Sequence, residues 1–72
     1  MAGDLLWSDS EEIAIELFEA RPDLDPLTLR FSDLRDMVAA LDRFRDDPKR
    51  CSEGKLEAIQ MAWLEEWKDE HE

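Results

Sequence analysis

The chain has 72 residues, 43% of them hydrophobic, with 20 acidic against 9 basic side chains and a net charge of -11. That length allows one domain near the lower limit for a core without metals or disulfides. The charge excludes binding that depends on cations replacing phosphate counterions, and it opposes anionic membranes.

A surface of this sign attracts a basic protein patch or a hard cation. No apolar run is long enough to cross a bilayer, and the opening MAGDLLW is too short and too acidic for a signal or transit peptide. The single cysteine, Cys51, has no internal partner, which fits a reducing cytoplasm. A cytoplasmic monomer is the expectation, with residues 1–68 as one acidic helical domain and 69–72 as a frayed polar tail.

Ser8 and Glu11 stand at capping-box spacing, which predicts a helix beginning there. At about 100° per residue, Ile13, Ala14, Leu17 and Phe18 share an apolar side, and Glu12, Glu16 and Glu19 gather on the other. Like charges so placed weaken a helix slightly, so the stripe is not there to stabilise it.

Pro22 ends this helix, and the stretch RPDLDPLTLRF turns the chain toward the next one. Within it, Leu27, Leu29 and Phe31 alternate with Thr28 and Arg30, the pattern of a short extended piece with one buried face. Ser32 is the expected cap of a second helix running to about Asp42, with Asp33 in its first turn and Leu34, Met37, Val38 and Leu41 inward. RFRDDPKR is a charged loop broken at Pro48, with Phe44 tucked into the core.

A third helix starts near Ser52 and turns Leu56, Ile59, Trp63 and Trp67 to one side, with Gly54 in its first turn. Met61 and Leu64 point away from that side, which predicts either a sandwiched helix or an apolar patch for a partner. The fold expected is mainly α: a small three-helix, helix-turn-helix or winged-helix-like domain with at most a short strand pair.

The spacing Asp23-x-Asp25 resembles the start of an EF-hand, but the template fails at Leu27, Thr28 and Leu34. A weak surface site for Fe2+ or another oxygen-seeking cation, drawing on Asp23, Asp25, Glu16 and Glu19, stays open. One cysteine and His71 are too few for zinc or an iron-sulfur cluster, so no tightly bound cofactor is expected. Lys49 and Arg50 would favour a Cys51 thiolate, and a cysteine at a helix start needs no such role. No nucleophile has a matching base and orienter, so the chain reads as a non-enzyme. The second helix, DLRDMVAALD, has one arginine against three aspartates, the wrong sign for a DNA groove.

The motifs WSDSEEI, RPDLDP, LRFSDL, DDPKRCSEGKLEAI and AWLEE follow one another from about Leu6 to Glu66. In this order the chain resembles the IscX family of small acidic bacterial iron-sulfur cluster assembly proteins. It departs from the family pattern at Arg45, where an acidic residue is usual, and in the longer tail EWKDEHE. The resemblance implies a modified winged-helix fold and an adaptor or regulator that binds a basic surface of the cysteine desulfurase IscS. It also implies weak Fe2+ binding by surface acids, so that a metallochaperone delivering iron is the alternative. Carried onto this chain, the docking residues it implies are Glu12, Glu16, Glu19, Asp33 and Asp36.

Overall fold

The computed structural model describes residues 3–71, and three helices make the fold: α1 at Ser10–Ala20, α2 at Phe31–Ala39 and α3 at Glu53–His71. Two 3₁₀ turns, Pro26–Thr28 and Pro48–Arg50, sit between them. The mainly α expectation holds. The only strand-like pairing among the described residues is a single parallel bridge between Leu5 and Phe44.

Helix α1 buries Ile13, Ala14 and Leu17 and packs chiefly on α3. It begins at Ser10, and the expected capping box of Ser8 and Glu11 does not form. Asp9 takes the N-cap position instead, and its carboxylate accepts the backward Leu6 N–H at 2.9 Å rather than capping forward. The backbone closes the same turn through Asp9 N–H to the Leu6 carbonyl at 2.9 Å.

The segment LTLRF is extended only at Leu29 and Arg30, with Leu27 and Thr28 in a 3₁₀ turn and Phe31 opening α2, and this corrects the alternation read from its sequence. Asp25 accepts the Leu27 N–H at 2.9 Å, Thr28 Oγ1 donates to the Asp25 carbonyl at 2.7 Å, and Pro26 supplies a preset φ at the first position of a 3₁₀ turn. Pro26 is buried, and its carbonyl accepts from Gln60 Nε2 of α3 at 3.2 Å. Leu27, expected inside, is 58% exposed. The turn Asp47-Pro48 repeats the device, with the Asp47 carboxylate accepting the Lys49 N–H at 2.9 Å.

Helix α2 starts at Phe31, so Ser32 lies inside its first turn and caps nothing. It ends at Ala39, short of Asp42, because the chain bends through Leu41 to bring Phe44 against Leu5. Leu34 and Val38 are buried, and Met37 and Leu41 pack at the edge of the core.

Helix α3 buries Leu56, Ile59 and Trp63, and Leu64 also turns inward at 7% exposure, against the outward direction expected for it. Met61 stays out at 50%. Residues 69–71, read from the sequence as the start of a frayed tail, form the last turn of α3, where His71 stacks on Trp67 with ring centroids 4.3 Å apart. Residue 72 lies outside the described residues.

An N-terminal arm completes the core. Leu5 donates to the Arg43 carbonyl at 2.8 Å and accepts from Arg45 at 3.0 Å, and Trp7 meets the Phe44 ring edge-on at a centroid distance of 4.8 Å. Leu5 and Trp7 are each 1% exposed. A fully buried tryptophan is among the largest apolar contributions one residue makes, so the arm is part of the core.

Candidate functional site

The arm and the loop after α2 also fix one cation against the acidic helix. The Arg43 guanidinium lies 3.5 Å from Glu12 and 3.3 Å from Glu16, and its Nε donates to the Gly3 carbonyl at 2.9 Å. Two of the three carboxylates in the expected α1 stripe are therefore partly neutralised within the chain. Glu19, the third, is exposed and lies in no ion pair among the described residues.

The other predicted docking residues sit apart from that stripe. Asp33 is exposed in the first turn of α2. Asp36 is exposed and faces Arg35 at 3.6 Å, beside the second 3₁₀ turn.

A further acidic feature lies between α1 and α3. Glu11, Glu65 and Glu66 line a shallow groove of about 220 Å³ whose apolar parts are Ile15 and Ala62. Ile15 is 41% exposed, and none of these three glutamates is in an ion pair among the described residues. The arrangement offers carboxylates around a small apolar patch, which suits a basic protein surface carrying an aliphatic side chain. Glu65 and Glu66 escaped the sequence reading, although their positions three and four residues after Ala62 place all three along one side of α3.

The four residues considered for a cation are placed variously. Asp23 is exposed in the corner, Asp25 spends a carboxylate oxygen on the Leu27 N–H, Glu16 meets Arg43, and Glu19 stands free on α1. Among the described residues, no group of three or more histidine, cysteine, aspartate or glutamate side chains is arranged to hold a metal ion. Cys51 is a half-buried free thiol just after the second 3₁₀ turn. No helix among the described residues is long and apolar enough to cross a membrane.

One carboxyl is tuned by the fold. Asp46 is held below the ordinary value of 3.8, first by the Trp7 N–H and then by the Asp47 N–H, against a smaller loss of hydration, with Arg50 and Lys55 adding weaker attraction. Both oxygens are engaged, one at 3.0 Å from Trp7 N and the other at 2.8 Å from Asp47 N. The role is structural: the WSDS and DDP motifs, distant in sequence, meet here.

Comparison with known families matches residues 5–68 to the family described as iron-sulphur cluster assembly. An uncharacterized protein of Pseudomonas aeruginosa is 53% identical over 62 residues, covering 86% of this chain and 94% of that protein. The matched range takes in the arm at Leu5, the Asp46 junction, and α3 through Lys68. The chain belongs to the iron-sulphur cluster assembly family, the one its motifs resemble, and its role lies in that process.

Proposed function

We propose that the protein is a non-enzymatic adaptor that regulates cluster assembly by docking exposed carboxylates on a basic surface of the cysteine desulfurase IscS. The observation that carries this reading is the α1/α3 groove, where Glu11, Glu65 and Glu66 surround Ile15 and Ala62 and lie in no ion pair among the described residues. Glu19 extends the negative flank along α1, and Glu12 and Glu16 join it at reduced effective charge because Arg43 lies between them. Asp33 and Asp36, on α2, belong to a secondary contact at most.

Contacts of this kind accelerate encounter more than they tighten the final complex, so salt should weaken binding steeply. The test is affinity for the desulfurase by calorimetry at low and high salt, for the native chain and for Glu11→Lys with Glu65→Lys. The double variant should bind about tenfold more weakly at low salt, a loss of ~1.4 kcal/mol, and the difference should narrow at high salt. Equal affinity across all four conditions removes the reading.

Iron delivery uses the same acids and needs several oxygen ligands converging on one point. The carboxylates described here spread over a flank instead of converging, so docking is the reading they support better.

A further inference from the structure

Both walls of the α1/α3 groove come from stretches without cations. Helix α1 carries no basic residue from Ser10 to Ala20, and α3 carries none from Leu56 to Trp67. Arg43 approaches α1 at Glu12 and Glu16, while the groove is lined by Glu11, Glu65 and Glu66 with no cation among its lining residues. Lys68, one turn past Glu65, is followed at once by Asp69 and Glu70, so the excess stays negative.

The apolar centre of the groove is small and open. Ile15 is exposed on one wall, and Ala62 is half-buried on the other. Met61, 50% exposed, stands one turn before Glu65 on the same side of α3 and widens that centre with an adaptable side chain. Carboxylates on both walls therefore surround one apolar spot.

We propose that the segment seated in this groove is an amphipathic helix of the partner protein, with lysine or arginine set around an aliphatic ridge. The inference rests on the docking reading above and adds the form of the segment that docks. Charge complementarity selects a basic occupant, and a second copy of the chain is disfavoured by repulsion between two bodies of net charge -11. Strand addition needs an open sheet edge, and both walls here are α-helical. Polyproline segments dock on aromatic-lined grooves, and none of the five lining residues is aromatic. A helix surrounds each of its residues with neighbours three and four positions away on either side, whereas an extended segment sets same-face neighbours only along a line. Glutamates on both walls around Ile15 and Ala62 match the first pattern, and a third helix laid between two others follows ordinary ridge-and-groove packing.

The test is titration of the full ¹⁵N-labelled chain with a capped peptide of about 16 residues, alanine with leucines and lysines at helical spacing, long enough to populate a helix. The control is the same peptide with two central residues in the D configuration, which keeps composition and charge and breaks the helix. Expected are shifts centred on the amides of residues 11–15 and 61–66, with the all-L peptide binding ~5-fold or more tightly than its control, because less ordering is left to be done on binding. Ile15→Ser should lower all-L affinity ~3-fold through lost apolar contact. Four outcomes overturn the proposal: equal affinity for the two peptides, shifts spread over acidic residues outside the groove, no effect of Ile15→Ser, or self-association that accounts for the same shifts. The titration involves no desulfurase, so equal peptide affinities beside intact desulfurase binding would remove the helix alone. A helical peptide that binds where the desulfurase does not would remove only the identity of the partner.

Discussion

The backbone N–H of Trp7 donates to the Asp46 carboxylate at 3.0 Å, joining positions 39 residues apart. The neighbouring Asp47 returns the contact by accepting from Trp7 Nε1 at 2.8 Å. Two consecutive aspartates and one tryptophan thus weld the beginning of the chain to the loop that precedes α3. The Asp46 carboxyl, lowered below 3.8 mainly by the Trp7 N–H and then the Asp47 N–H, contributes stability fully present above the unfolded value. That contribution is lost as pH falls through the lowered folded value. Urea midpoints followed from about pH 5 to about pH 2.5 should fall for the native chain, and Asp46→Asn should show a smaller fall over the same window. Parallel curves for the two proteins would show that the carboxylate is not coupled to folding.

The caps that formed and those that did not make a second, sharper comparison. Asp25→Ala and Asp47→Ala each remove a carboxylate that accepts a turn N–H, and each should cost about 1 kcal/mol. Ser8→Ala and Ser32→Ala remove hydroxyls that cap no helix and should stay within ~0.5 kcal/mol. Thermal unfolding reads the difference as roughly 4–8 °C for a chain of this size. A large loss at Ser8 would mean that the capping box forms after all.

Two buried tryptophans differ in one hydrogen bond. Trp7 Nε1 has the Asp47 carbonyl as partner, and Trp63 Nε1 is buried with none among the described residues. Replacing each by phenylalanine leaves similar voids but removes a hydrogen bond only in the first case, where the Asp47 carbonyl keeps the Arg50 N–H as its remaining donor. Trp7→Phe should therefore cost about 1 kcal/mol more than Trp63→Phe, measured by chemical denaturation. Equal losses would assign both residues to packing alone.

Arg43 holds back part of the negative field of α1, so its removal should show in association kinetics. Arg43→Gln frees Glu12 and Glu16 at a stability cost of ~1 kcal/mol or less, since the pair is partly exposed. Association with the desulfurase, followed by stopped flow, should be ~2–5-fold faster at low salt and nearly unchanged at high salt. A slower association at low salt would mean that the arginine itself contacts the partner.

The apolar periodicity of α1 and α3 was legible because 3.6-residue patterning is local: Ile13, Ala14, Leu17, Leu56, Ile59 and Trp63 all face the core as their spacing predicts. Proline placed both 3₁₀ turns, yet their geometry was not readable from alternation in LTLRF, because the Asx bonds of Asp25 override a pattern of period two. Leu5 and Trp7 were given no place in the core from sequence because their partners, Arg43 to Asp47, lie about half the chain away. The same distance hid the Arg43 contacts and so the uneven strength of the acidic stripe. Local patterns reveal which faces are apolar; they do not reveal which opposite charges the folded chain brings together.

The union of Leu5 with Phe44, and the seating of α1 on α3, also set the order of events on the ribosome. The greasy side of α1 emerges before Leu56, Ile59 and Trp63, which will cover it, have been made. The nascent chain therefore cannot close its core until translation has passed Trp63, and chaperone contact before that moment should centre on Ile13 and Leu17.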